Sequence, residues 1–304
     1  MSREPAAQRF ACTQCGKCCN RTPEVELSEA AALADVFVFR LMFRLYWLPL
    51  NLRDYIAAGH SNANASAVYY ERKRLLAAFA ARKYPAKSTR DGKPVQLVKY
   101  LLISALAVDT SPGACSALTE QRCGIYDRRP LSCRSVPLHY ARPVAMAAAD
   151  LSAFVETPGY ECDTSEAAPV VLNDGQIMSP EIKKARFDSI AVAERDHRWA
   201  QAISSRMNKD GSAGAFLPSM QEIEANAHLG AITTSMRLAW QIASDISLIS
   251  GEECDRLVGL QLEAIDRELA YSRCSPATRE TLAEMQAEYR HHLSGDRVLV
   301  DADV

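Results

Sequence analysis

Apolar residues are distributed along the chain in two different ways. Up to about residue 170 the pattern is mixed, and from residue 179 onward it has a helical period. Val36 to Leu48 is the longest apolar stretch, broken by Arg40 and Arg44 and closed by Pro49. Ser28 is placed to cap Glu29-Ala-Ala-Ala-Leu33, because its hydroxyl can accept from the open N–H groups of a first turn. The pattern therefore predicts a mostly buried helix from residue 29 to about 48, with Arg40 and Arg44 four apart as a polar stripe. The small polar run at residues 60–66 predicts a loop, and Tyr69 to Tyr84 a basic helix whose Arg72-Lys73-Arg74 run is a solvated face. Asp91-Gly92 is a turn signal. Pro94 to Val108 is rich in Val, Leu and Ile and suits either one long strand or a short buried helix, since periodicity alone does not separate the two. Ser111-Pro-Gly113 then turns the chain.

Farther on, Ser179-Pro180-Glu181 combines a cap, a proline at the first helical position and an acid in the first turn, predicting a helix to about Asn208 that ends at Asp210-Gly-Ser-Ala-Gly214. Met236, Ala239, Trp240, Ala243, Ile246 and Ile249 form an apolar stripe. Ser250 with Glu253 reads as a capping box, and Ser275-Pro276 opens a last helix ending near Leu293. Residues 179–293 thus read as four or five packed amphipathic helices. No internal repeat is visible. Asp255, Glu263 and Asp266 fall on polar faces, and His291 and His292 at the end of the last helix read as surface groups.

These elements predict a mainly α fold with a small irregular or β element. A cysteine-cluster metal-binding domain would occupy residues 1–170, with a helical bundle of residues 171–304 packed on it. Charge divides at the same place. Residues 1–170 hold 21 Lys/Arg against 16 Asp/Glu, and the remainder 14 against 21. At 48% hydrophobic and 24% charged, the 304 residues have a globular composition, which excludes disordered, collagen-like and coiled-coil chains. A net charge of −2 gives no reason to expect nucleic acid. No apolar run is as long as the about 20 residues of a spanning helix, so no membrane span is predicted.

Cysteine is the compositional anomaly, at ten residues. Eight of them lie in the first 162 positions, and only Cys254 and Cys274 follow, each alone in a helical pattern and read as a core thiol. The first ten residues lack the apolar run of a secretory signal, so a cytoplasmic protein is expected. In a reducing compartment, cysteines at this density hold metal or do thiol chemistry rather than form disulfides.

Cys12-Thr-Gln-Cys15-Gly-Lys-Cys18-Cys19 places four thiols within eight residues. Two cysteines separated by two residues can turn around one ion, and Gly16 eases that turn. Cys12, Cys15 and Cys18 also copy the first three ligands of the bacterial ferredoxin run, without its fourth step. Cys19 follows directly and points another way. A closed site on the triplet must then recruit a distant ligand, and Cys115, Cys123, Cys133 and Cys162 are the candidates. Eight sulfurs suffice for two four-thiolate sites, or for one iron-sulfur cluster plus zinc. The ferredoxin-like triplet tilts the reading toward a 4Fe-4S cluster. Lys17, Arg21, Arg122, Arg128, Arg129 and Arg134 lie within a few residues of a cysteine, where they can offset thiolate charge or bind an anionic ligand. His139 is a candidate extra ligand or supporting group.

The opening block from Phe10 to Cys19, followed by Val25-Glu-Leu-Ser28, resembles the start of the YkgJ-type cysteine-cluster family, whose domain is described as zinc- or iron-chelating. Cys123-Gly-Ile-Tyr126-Asp-Arg-Arg129-Pro130-Leu-Ser-Cys133-Arg134-Ser-Val-Pro137 is similar to its second signature. The resemblance covers roughly residues 8–165. It implies that Cys12, Cys15, Cys18, Cys19, Cys115, Cys123, Cys133 and Cys162 are metal ligands or near neighbours, with Tyr126, Arg129 and Pro130 shaping the segment between two of them. It also implies a distant similarity to flagellin lysine-N-methylases, which use S-adenosylmethionine. The sequence departs from that branch in having the shorter Cys15-Gly-Lys-Cys18-Cys19 form, and it lacks the CxxxCxxC triplet of radical S-adenosylmethionine enzymes.

Three function classes follow. They are a metalloprotein with a structural or metal-handling cluster, an enzyme using the cluster for redox or S-adenosylmethionine chemistry on a protein substrate, and a metal-stabilised module whose acidic helices dock a protein partner. Phosphate-binding loops, the G-x-S-x-G elbow and the H-E-x-x-H zinc motif are absent from the sequence.

Overall fold

The computed structural model describes residues 7–60, 64–90, 92–111, 113–207, 217–270 and 274–294. The helix break expected at Asp210–Gly214, Asp91 of the expected turn and residues 61–63 of the expected loop lie outside the described residues. In chain order the first half comprises β1 (Gln8–Arg9), β2 (Glu24–Val25), α1 (Leu27–Ala32), β3 (Phe39–Pro49), α2 (Leu52–Ala57), α3 (Ala65–Phe79), β4 (Ala80–Arg90), β5 (Lys93–Ala107), β6 (Leu118–Thr119), β7 (Arg122–Cys123), α4 (Leu131–Arg134) and α5 (Ala147–Val155). The second comprises β8 (Val170–Asn173), β9 (Gln176–Ile177), α6 (Pro180–Ser205), α7 (Met220–Asn226), β10 (Ile232–Ser235), α8 (Met236–Asp245), α9 (Gly251–Ala270) and α10 (Pro276–Leu293).

The mainly α expectation is overturned. The architecture is mixed α/β, built on an antiparallel five-stranded sheet in which β5 is central, β3 and then β10 lie on one side, and β4 and β2 share the other. The predicted helix at residues 29–48 is the main error. Only the short α1 forms, and from Phe39 the chain is an 11-residue strand. Its odd positions, Phe39, Leu41, Phe43 and Leu45, are buried, while Arg40, Met42, Arg44 and Tyr46 share the opposite face. A separation of four puts two residues on one face in a helix and in a strand alike. The arginine spacing therefore carried no decision, and the alternation with aromatic and branched residues prevailed once β5 offered a partner across eleven registered pairs.

The stretch read as either strand or helix is strand, β5, from Lys93 to Ala107. The basic helix ends earlier than expected, at Phe79, and the chain runs directly into β4. That segment, Ala80-Ala-Arg-Lys-Tyr-Pro-Ala-Lys-Ser-Thr-Arg90, pairs with β5 alone, and its lysines, arginines and Pro85 suit a sheet edge that must not recruit another strand. Ser28 does not cap α1. Glu26 does, in a reciprocal capping box with Glu29, and the Ser28 N–H instead donates to Asp196 Oδ2 at 2.8 Å. Ser179 accepts from the Ile182 N–H and Ser275 from the Thr278 N–H as expected, whereas of the box expected at Ser250 only one half forms, Ser250 accepting from the Glu253 N–H while the Glu253 carboxylate bonds Arg256.

The helices pack on the odd face of β3. Trp199, Ala200 and Ile203 of α6, the apolar stripe of α8, Cys254, Leu257 and Ile265 of α9, and Leu282 and Tyr289 of α10 share one buried cluster with Phe39, Leu41, Phe43, Ile103 and Ala105. Both halves of the chain contribute to this core. The second half also supplies β10, which extends the sheet beyond β3, and β8, which pairs with β1 beside the first cysteines. Among the described residues no helix is long and apolar enough to cross a membrane.

Candidate metal centre

The first cysteine block is a loop held down from both ends. β1 pairs with β8, and Ala11 and Asp163 exchange both backbone hydrogen bonds, at 2.8 and 3.1 Å. This places Cys12 next in sequence to one bridge residue and Cys162 next to the other. The Thr13 hydroxyl donates to the Glu161 carbonyl at 2.7 Å, and Lys17 Nζ lies 3.9 Å from the Glu161 carboxylate. At the far end the Cys115 N–H donates to the Cys19 carbonyl at 2.7 Å, joining positions 96 residues apart. Between these ties the chain turns at Gly16, whose φ is +73°, and a Cβ there would stand 2.4 Å from the Gln121 carbonyl oxygen. Glycine is thus required twice over, for its backbone conformation and for the close approach of the loop to the β6–β7 hairpin. That hairpin turns through Glu120 and Gln121, both with positive φ, and pairs Leu118 with Cys123.

Which thiols face one another follows from the charges each feels. Burial, with the nearby Cys18, Cys15 and Cys12, pushes Cys162 up to about 11. Burial, together with Cys115 and Cys123, likewise pushes Cys133 up to about 12, and burial and Cys123 both raise Cys115. Cys19 is pushed up by its contact with Cys18, by burial, and by Cys115 and Cys133. The eight cysteines therefore divide into two sets of four. Cys12, Cys15, Cys18 and Cys162 form one, and Cys19, Cys115, Cys123 and Cys133 the other, with the adjacent Cys18 and Cys19 thiols touching where the sets meet. That contact favours the Cys18 thiolate, bringing it down to about 7. Burial opposes ionisation of Cys15, but hydrogen bonds, among them those from the backbone N–H groups of Lys17 and Glu161, outweigh it and hold that thiol low.

Cys12 is exposed and the other seven are half-buried. Among the described residues the side chains whose metal-ligating atoms gather within 4.8 Å in a group of three are Cys254, Asp255 and His292, so the eight thiols are spread more widely than that.

Around the second set, Leu131 begins α4 with its N–H on Glu29 Oε1 at 2.9 Å, and α4 carries Cys133. The Arg129 guanidinium lies 3.8 Å over the Tyr126 ring, bonds Glu181 at 3.0 Å and lowers Cys133 slightly. Beside Cys133, the Ser132 side chain hydrogen-bonds its thiol and lowers it, and Arg134 Nε is buried without a hydrogen-bond partner. The donors and the thiolate-only ligand shell fit a thiolate-bound metal or cluster. Not all of the basic residues near the cysteines serve it, because Arg128 is held by Asp35 at 2.9 and 3.1 Å. His139 is exposed, with Nδ1 accepting from the Ala141 N–H and its ring stacked on Tyr140.

Two features escaped sequence reasoning. One is a buried acidic group behind the second set. Glu26 is held well above the usual carboxylate range by burial and by the nearby Asp196, Glu29 and Glu24, and burial also raises Glu29 and Asp196. The capping spacing of Glu26 and Glu29 was the available signal, but Asp196 comes from α6, far away in sequence. The other is His292, expected at the surface but buried, with Nε2 3.0 Å from Asp255 Oδ1 and Cys254 beside them. Cys274 is a core thiol, donating toward the Thr110 and Glu268 carbonyls at 3.4 and 3.3 Å.

Compared with known proteins, the chain matches no family model, no curated protein and no solved structure at the level that signals relationship.

Proposed function

We propose that the protein binds metal through two adjoining four-thiolate sites, Cys12–Cys15–Cys18–Cys162 and Cys19–Cys115–Cys123–Cys133, with iron-sulfur clusters as the favoured occupants and zinc as the alternative. The observation that carries this is that the backbone ties of Ala11 to Asp163 and of Cys115 to Cys19 bring the cysteine-bearing segments together from opposite ends of the first 165 residues. A tetrahedral zinc shell with sulfur at about 2.3 Å would draw each pair of thiolates to roughly 3.8 Å. The ferredoxin-like spacing of Cys12, Cys15 and Cys18 favours a group in which each sulfur holds a different iron atom. Bound clusters supply one-electron redox chemistry. The chain's own part is to hold the thiolates in place from β1, the β6–β7 hairpin and α4, and to set donors from Ser132, Arg129 and Arg134 around the second set. The reading agrees with what the resemblance to YkgJ-type domains implies.

Protein purified without oxygen is expected to be brown and to contain iron and acid-labile sulfide. Colourless protein with zinc would identify zinc sites, and metal-free but fully folded protein would overturn the reading. The pairing has its own test. Cys162→Ser and Cys133→Ser should each remove about half the metal, and a double variant nearly all of it; loss of all metal in either single variant would show one shared site.

A further inference from the structure

We infer that Cys254, Asp255 and His292 form a separate site for a divalent cation of zinc's class, independent of the eight amino-terminal cysteines. The three side chains come from the first turn of α9 and the last turn of α10, where the two antiparallel helices bring their open ends together. One ligand atom from each, the Cys254 sulfur, an Asp255 carboxylate oxygen and a His292 ring nitrogen, lies within 4.8 Å of the other two. His292 Nε2 and Asp255 Oδ1 are already 3.0 Å apart, about the separation of two ligands on one small ion.

The chemistry of the trio is selective. A thiolate, an imidazole and a carboxylate together suit zinc or cobalt, whereas magnesium and calcium prefer oxygen alone. Three protein ligands also leave a fourth tetrahedral position, and it would face outward, because Cys254 and His292 are buried while the Asp255 side chain is half exposed. The surroundings favour the charges involved. The open N–H groups at the start of α9 stabilise an anionic sulfur and carboxylate, and the last carbonyls of α10 face a cation at His292. The nearest cation in sequence does not compete, since Arg256 is paired with Glu253 at 2.6 and 2.7 Å. Uptake of the ion releases the thiol proton. Because α9 also carries Gln261, which bonds the backbone of the turn before β3, a clasp between α9 and α10 would stiffen the helical layer that covers the sheet.

The test is titration of the full-length protein, its amino-terminal cysteines holding their own metal, with Co²⁺ alone. Wild type is expected to take up one further equivalent, to show thiolate-to-cobalt charge-transfer absorption and to melt at a higher temperature. Cys254→Ser should abolish the absorption, and His292→Ala the uptake. Both positions are buried, so Asp255→Asn provides the control for folding. It lies at an exposed position, keeps an oxygen facing the imidazole, and should still weaken cobalt binding about tenfold or more. The same titration on Cys162→Ser separates the two sites, since this one should still fill. No uptake beyond the amino-terminal cysteines, or equal uptake by wild type and Asp255→Asn, would overturn the inference and leave a hydrogen-bonded pair beside a core thiol.

Discussion

Gly16 shows how far one residue can govern the centre. Gly16→Ala must place a methyl group 2.4 Å from the Gln121 carbonyl while keeping φ at +73°, and the obstacle is backbone on both sides. A loss of about 2 kcal/mol or more is expected, with the first set of cysteines retaining less metal; thermal melting and metal analysis check both. The buried acids give a prediction of different sign. Glu26, Glu29 and Asp196 have folded-state pKa values above their unfolded values, so between the two the native state holds protons that the unfolded state has lost. Their contribution is therefore most favourable below the ordinary carboxylate range and is lost as pH rises through the elevated folded values. Glu26→Gln keeps an oxygen for its capping hydrogen bond and removes the need for the native state to hold a proton there. It should raise stability at neutral pH by roughly 1 kcal/mol and flatten the decline with pH in denaturant titrations, with little gain in acid.

Among the elements, α9 is the clearest case of a polar side chain organising a fold. Gln261 is fully buried, accepts from the Phe39 N–H at 2.7 Å and donates to the Ala34 and Phe37 carbonyls at 2.8 and 2.6 Å. Those groups belong to the turn where α1 ends and β3 begins, the point at which the expected long helix stops. Gln261→Leu would leave three buried backbone groups without partners and should cost about 3 kcal/mol, read as a lower denaturation midpoint. An outcome within a few tenths of a kcal/mol of wild type would show that water or a rearranged turn satisfies them.

Taken whole, the molecule does not divide cleanly where composition and charge change. β10 lies against β3, and residues of α6, α8, α9 and α10 complete the core over the sheet. Removing residues 179–304 would bare the face formed by Phe39, Leu41, Phe43, Ile103 and Ala105 and leave β3 as an open edge. The truncated chain is expected to be insoluble or poor in metal. A soluble, monomeric and fully metallated fragment, seen by size-exclusion chromatography with metal analysis, would show that the first half folds unaided.

Features that depend on neighbours a few residues apart were legible in the amino-acid order. Ser179, Ser250 and Ser275 cap helices as read, because a cap is a bond across three residues. The crowding of Cys12, Cys15, Cys18 and Cys19, with Gly16 to turn among them, marked the candidate centre for the same reason. What required partners from elsewhere was decided by the tertiary structure. Residues 39–48 suited a helix until β5 lay beside them, because spacing by four is shared by both conformations and only a paired backbone separates them. The division of eight thiols into two sets rests on contacts across about a hundred residues or more, at Cys19 with Cys115 and Cys12 with Cys162. His292 reads as a surface group at a helix end, and only the packing of α10 against α9 buries it beside Asp255 and Cys254.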